Sequence, residues 1–362
     1  MITLKNIVKT FLKVGLIGFG GGAGMLAIIR SECVKKKGLI TDDELTTAVA
    51  IGQMLPGPFV PNYCEYIGYC LRGLKGAIAA GVSLLLPSFI IMLVLSYLYF
   101  TFHTIPAIEQ VFRGIGAVMT AIILWAGLDM GKLIINRLNR LLIFTISLIL
   151  FLKRFDPVLT VFLAGILNII LEQVKSPKVF LTVPLFLFDL KKTLELFGIF
   201  LKIGAVIFGG GYAAIPFIQN EVCVYRNWLT RKEFLDGFAL GQITPGPVAI
   251  TATFVGFKVM GIIGAFISTI GIFLPSFLML IGLLKIYKRI EGNRYVDSFL
   301  NGIKSAVVAI LISTGIFFIP ANWSNPAYGI FGILCLCALF LIRKIEPLFL
   351  IIAGVLFGIL VG

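Results

Sequence analysis

The sequence predicts an all-α polytopic membrane protein. It is built from two inverted homologous repeats, with about ten transmembrane helices that are broken or re-entrant at Gly-rich and PGP motifs. Composition is the first support: of 362 residues 59% are hydrophobic and 13% charged, with a mean hydropathy of +1.04. Soluble domains carry about 25% charged residues, so this chain cannot cover a globule with polar surface. Repetition is the second. FLKVGLIGFGGG from Phe11 returns as FLKIGAVIFGGG from Phe200, and GQMLPGP from Gly52 returns as GQITPGP from Gly241, both displaced by 189 residues. LPSF at Leu86 returns at Leu274, displaced by 188. Loop charge is the third. The His103–Gln110 turn has no Lys or Arg, whereas its partner holds Lys285, Lys288, Arg289 and Arg294. Conversely, Lys132, Arg137 and Arg140 have an uncharged partner at Pro320–Pro326. Matching loops on opposite faces are the mark of inversion.

The repeats are expected at residues 1–175 and 193–362. In the first, apolar stretches run at 7–29, broken by Gly20-Gly21-Gly22, and at 45–70, broken by Pro56-Gly57-Pro58. Continuous stretches follow at 77–100, 107–131, 141–152 and 157–171, the last two barely long enough to span. The second half repeats the order at 195–218, 234–257, 262–284, 297–319, 327–342 and 347–361. Inversion requires an odd number of crossings per half, so one broken segment in each is expected to be re-entrant. Lys5, Lys9 and Lys13 ahead of an apolar stretch mimic a signal peptide, but no small-residue cleavage pattern precedes the glycines, and the stretch reads as mature sequence.

The net charge of +14 sits in short loops, where it signals topology and contacts anionic headgroups of the lipid bilayer, so nucleic acid is discounted as a partner. The six cysteines include no C-x-x-C, and the chain has one histidine, His103. They read as packed small apolar residues rather than a metal or redox site, and no cofactor is expected.

Interrupted apolar segments at matching places of two inverted halves point to a secondary-transporter binding site. A helix stopped inside the membrane leaves backbone groups that are tolerable only when buried in protein or lining a cavity. Pro56-Gly57-Pro58 and Pro245-Gly246-Pro247 should each end one half-helix and start another, whose free N–H groups and dipole suit an anion. The polar residues beside them, Gln53, Asn62, Gln242, Thr244 and Thr251, favour a site over a plain loop or kink. The Gly20–Gly22 and Gly209-Gly210-Gly211 runs fit either a site or close helix packing. Lys13 and Lys202, two turns before each run, attract an anion or snorkel to headgroups. Thr41 with Glu44 and Thr230 with Glu233 read as capping boxes. Glu32 and Glu221 read as proton-coupling carboxylates or solvated loop charges.

FLK-x-G…FGGG, the following Glu, T-x-x-E and G-Q-x-x-PGP, each present twice, make the chain resemble the chromate ion transporter family over essentially its whole length, in its long two-domain form. The resemblance implies a multi-pass carrier of the bacterial inner membrane, not an enzyme. Its substrate would be a small inorganic oxyanion, chromate, carried outward by alternating access, with the site between the repeats. Sulfate or another small anion is the alternative substrate, and a homodimer is the assembly considered. A membrane-embedded enzyme acting on lipid phosphate is the alternative of another class. It would need a nucleophile and base or a metal set, and the sequence offers no H-E-x-x-H and no Ser–His pairing.

Overall fold

The computed structural model describes residues 2–18, 21–102, 105–172, 192–208, 211–284, 293–342 and 347–361. Gly20, Gly209, Gly210, His103, Lys285, Lys288, Arg289 and residues 175–191 of the junction lie outside them. Among the described residues every regular element is helical.

Helix α1 (Leu4–Ile17) starts at Thr3, whose hydroxyl accepts from the Asn6 amide, and stops at Gly18. Helix α2 (Gly21–Ile29) continues into a π-helical stretch, Arg30–Lys36. The returning limb runs antiparallel to α1: a Cβ on Gly18 would meet Met25, Lys13 pairs with Glu32, and Lys37 Nζ donates to Thr10 Oγ1 at 2.7 Å. The limbs on either side of the glycine break therefore form a hairpin that leaves by the face it entered. Helix α3 (Asp42–Met54) opens on the capping box of Thr41 and Glu44, with both reciprocal hydrogen bonds made, and ends at PGP.

Helix α4 (Phe59–Phe102) is broken at Arg72–Gly73, where Gly73 has φ +58°, into α4a (59–71) and α4b (74–102). Gly52 of α3 abuts Tyr63, and Gly68 abuts Gly76, so α4a is antiparallel to both neighbours. PGP is the tip of a second re-entrant hairpin. Parity predicts one re-entrant segment per half, but both breaks reverse the chain; the helices left, α4b to α7, are an even number, so the inversion shown below rests on helix directions and not on a count of crossings over the described residues. Helices α5 (Pro106–Ile134), α6 (Leu138–Leu152) and α7 (Pro157–Leu171) complete the half; α5 and α7 begin on proline, which lacks the N–H that a first turn cannot use.

Half two repeats this order. Helix α8 (Lys192–Val206) is followed by a 3-10 turn (Gly211–Ala213), α9 (Ala214–Gln219) and a π-helical stretch (Asn220–Tyr225). Helix α10 (Arg231–Ile243) has the Thr230–Glu233 capping box, and α11 (Thr251–Leu284) breaks at Met260–Gly261 into α11a (251–259) and α11b (262–284). Helices α12 (Arg294–Asn322), α13 (Pro326–Leu341) and α14 (Pro347–Val361) end the chain.

The equivalent helices α5 and α12 touch and run antiparallel. Gly127 faces Ile312 and Gly315 faces Leu124, the same contact written twice at a displacement of 188, and Asn322 Nδ2 donates to Thr120 Oγ1 at 3.0 Å. Only a two-fold perpendicular to the helices, in the membrane plane, makes equivalent helices antiparallel, so the repeats are inverted. The last hairpin of each half packs on the other half. Gly165 of α7 meets Phe299 of α12, and Gly114 of α5 meets Gly354 of α14.

Among the described residues four helices are long and apolar enough to cross a membrane, α4, α5, α11 and α12, and four shorter apolar helices, α6, α7, α13 and α14, accompany them. Val82, Ile90 and Val94 of α4b and Ile263, Phe266 and Ile270 of α11b are exposed, as lipid-facing surfaces require. In a background lacking the exposed Cys70 and Cys337, Lys75→Cys and Ile262→Cys should react with an impermeant thiol reagent from opposite faces. Labelling of both from one face would end the inverted arrangement.

The two halves are not packed equally. Half two's re-entrant elements lie in the main core, where Phe217, Phe234, Phe238 and Phe254 join Met119, Ile122, Ile310 and Phe318. Half one's form a separate cluster of Ile7, Phe11, Met25, Cys33, Ala48, Tyr63, Cys64 and Leu84. Residues 234–241 of α10 are all buried, whereas Asp42, Asp43, Thr46, Ala50 and Gln53 on or at α3 are exposed.

Candidate functional site

Each PGP tip meets the backbone that leads into the glycine break of the other half. Gly57 N donates to Ile207 O at 2.6 Å, and Gly246 N donates to Gly18 O at 2.8 Å. Both glycines hold left-handed backbone, φ +102° and +115°, which L side chains avoid. A Cβ on Gly57 would lie 2.5 Å from Ser276 Cβ, and one on Gly246 2.0 Å from Ser88 Oγ. Ser88 and Ser276 belong to the LPSF repeats, so three motifs from each half converge at the two-fold. These serines were legible as a repeated motif, but nothing in their spacing marked them as partners of the tips.

The tip geometry redirects one expectation. The amides of Gly57 and Gly246, offered by the sequence to an anion, are taken up by carbonyls across the two-fold. Unpartnered polar atoms remain nearby: Ser88 Oγ, Gln242 Nε2, and both amide atoms of Asn62. Gln242 Oε1 accepts from Tyr212 OH at 3.4 Å. Thr244 and Thr251 hydroxyls donate to Leu240 O and Val248 O, at 2.7 and 2.9 Å. Pro56, Pro58, Pro245 and Pro247 are buried at the tips, while Gln53 is exposed. Gly21 and Gly22 open α2, and Gly211 lies against Val248, which follows the second PGP.

Lys13 and Lys202 are ion-paired. Glu32 accepts from Lys13 at 3.0 Å and Lys36 at 2.8 Å, and Glu221 from Lys202 at 3.0 Å and from Arg226. The carboxylates are buried, with side chains 2% and 9% exposed, against 50% and 47% for the lysines. Each network fastens a returning π-helical limb to its inbound helix, a geometry neither a solvated loop charge nor a free lysine would have. The Lys36 hydrogen bond, opposed by desolvation and aided by Lys13, holds the Glu32 carboxyl below the usual carboxylate range.

Half two is clasped to half one at the face opposite the N-terminus. Tyr99 OH donates to Asp236 Oδ2 at 2.7 Å, Lys232 pairs with Glu109 at 2.7 Å, and Lys258 lies over the Phe100 ring. A cleft of about 360 Å³ lined by Glu109, Arg113, Lys232, Asp236, Asn322 and Tyr328 opens there. The counterpart of Lys232 in half one is Asp43, and that of Asp236 is Thr47, so this clasp has no charge-matched copy on the N-terminal face. Asp236 and the buried Glu65 of α4a both went unnoticed in the repeat comparison because neither is repeated. An ionisable residue within an apolar run was the signal.

Sequence comparison matches the profile described as "Chromate transporter" to residues 5–169 and again to 194–359. The chain is 31% identical to an uncharacterized transporter of Methanocaldococcus jannaschii, over 98% of this chain and 94% of the relative. It is 32% identical to a chromate transport protein of Pseudomonas aeruginosa, over 87% and 81%, and 28% identical to one of Cupriavidus metallidurans, over 99% and 93%. No solved structure matches. With both halves matched by the profile and the inverted helical halves in place, the chain belongs to the chromate transporter family and is a multi-pass membrane protein.

Proposed function

We propose that the chain is a secondary carrier of a small oxyanion, chromate, moved outward by alternating access, with the substrate held between the repeats. The relatives named as chromate transport proteins support the substrate class. The observation that carries the mechanism is the inequality of the halves: α10 is buried and clasped at one face, while its equivalent α3 is exposed at the other. In an inverted repeat, exchanging the two packings gives a second state with the opposite face closed. Lys35-Lys36-Lys37, Arg72, Lys75, Lys132, Arg137 and Arg140 gather on the N-terminal face, which makes that face cytoplasmic in this reading and the state inward-open. Substrate contacts come from Gln53, Asn62, Gln242, Thr244 and Thr251 around the Pro and Gly tips.

Two measurements test this. Purified protein in proteoliposomes should take up labelled chromate, and sulfate should compete only if it is an alternative substrate. Gln53→Cys should be modified from the N-terminal face much faster than Gln242→Cys, with the difference narrowing while substrate is transported. Absence of anion flux with intact folding would sink the carrier reading. Equal reactivity of the two cysteines with and without flux would sink alternating access between these packings. An enzyme acting on lipid phosphate would instead release phosphate from vesicles without anion flux.

A further inference from the structure

Glu65 lies in α4a, two turns behind the first PGP tip, and is 3% exposed. None of the ion pairs among the described residues includes it, and its Oε2 has no hydrogen-bond partner. Asn62, three residues earlier on the same helical face, is fully buried with both amide atoms unpartnered. Across from them, Gly81 of α4b leaves the carboxyl its room, since a Cβ there would sit 2.8 Å from Oε1. Half two does not copy this arrangement. The residues displaced by 189 are Thr251, whose hydroxyl bonds Val248 O, and Phe254.

A bare carboxylate and an unsatisfied amide at this depth are costly, and intramembrane carboxyls without a protein partner mark ion pathways. Among the described residues no counter-charge meets Glu65: Cys64 beside it on α4a is a buried thiol, the stretch of α4b around Gly81 has no ionisable side chain, and Lys75 stands at the exposed turn. We propose that Glu65 and Asn62 form a binding site for a small monovalent cation, a proton or a sodium ion, in half one alone. A proton on Oε2 would be donated to Asn62 Oδ1, and a sodium ion would be held between those two oxygens. Because α4a belongs to the hairpin that is loosely packed in this state, loading the site biases which packing half one adopts. The coupling role rests on the carrier reading, but the site itself does not.

The test separates the two. Purified wild-type protein and Glu65→Gln, with no anion present, are unfolded thermally across pH without sodium, and across sodium concentration at fixed pH. The wild type should be stabilised by one of the two cations, and Glu65→Gln should lose that response. Asn62→Ala should raise the required cation concentration at least tenfold, and it stands in as the readout if Glu65→Gln fails to fold. A carboxyl infrared band that titrates in the wild type and is missing in Glu65→Gln identifies the proton; a sodium-only response identifies sodium. Identical responses of wild type and both variants would overturn the site. In proteoliposomes, Glu65→Gln should keep chromate counterflow but lose accumulation driven by the cation gradient. Wild-type protein that shows the cation response but no chromate counterflow would overturn the oxyanion reading and leave the site standing.

Discussion

Valine in place of Gly246 or Gly57 should abolish transport and cost several kcal/mol of stability. Left-handed backbone strains a β-branched residue by about 1–3 kcal/mol, and the cross-half hydrogen bond adds about 0.5–1.5 kcal/mol when broken. At Gly246 the Cβ would lie 2.0 Å from Oγ and 3.0 Å from Cβ of the fully buried Ser88, so the hydroxyl must turn away; at Gly57 it would lie 2.5 Å from Ser276 Cβ, which no rotation moves. The strain and the clash can be told apart. Gly246→Ala combined with Ser88→Gly removes the clash but keeps the backbone penalty, so the double variant should recover part of the stability lost in Gly246→Ala alone. Thermal unfolding of the purified set, with chromate flux on the folded fraction, reads both effects. Wild-type stability and flux in Gly57→Val and Gly246→Val would show that the tips do not hold the halves together.

The parts of the fold that were legible in the sequence are those written twice. Repetition announced two related halves, PGP and the glycine runs marked the breaks, and the Thr41–Glu44 and Thr230–Glu233 boxes placed two helix starts to the residue. Direction of travel at a break was not legible. A run such as 7–29 has the length of one span, and only the Lys13–Glu32 and Thr10–Lys37 contacts reveal that the chain doubles back within it. Partners across the two-fold were also hidden. That Gly57 bonds Ile207, while Gly246 bonds Gly18, depends on how two hairpins meet, which no spacing along the chain encodes. Glu65 and Asp236 escaped for the opposite reason: a search by repetition discards what one half has alone. Asp236 sits in the clasp that half one lacks, so there asymmetry of sequence and of packing coincide.

Removing the carboxylate from each Lys–Glu network should hurt more than removing the lysine. Lys202→Gln leaves Glu221 bonded to Arg226, and Lys13→Gln leaves Glu32 bonded to Lys36, so each should lose less than about 1 kcal/mol, as for half-exposed ion pairs. Glu221→Gln instead leaves Lys202 and Arg226 facing a neutral amide, a loss of about 1–3 kcal/mol on the scale of charged hydrogen bonds. Acid should reproduce part of this at Glu32. Its carboxyl is held below the unfolded value, so its contribution is fully present above the ordinary carboxylate range and is lost as pH falls through the lowered one. Thermal stability of the wild type should therefore fall on acidification below about pH 4.5, and Glu32→Gln should flatten that limb. The same variants decide what the lysines do for substrate. If Lys13 and Lys202 only fasten the π-helical limbs, chromate should stabilise Lys13→Gln and Lys202→Gln with the wild-type concentration dependence. If they draw the anion toward the tips, each substitution should shift that dependence to higher chromate, and Arg at either position should restore it, because charge and reach survive. A larger stability loss in Lys202→Gln than in Glu221→Gln would contradict the network as drawn.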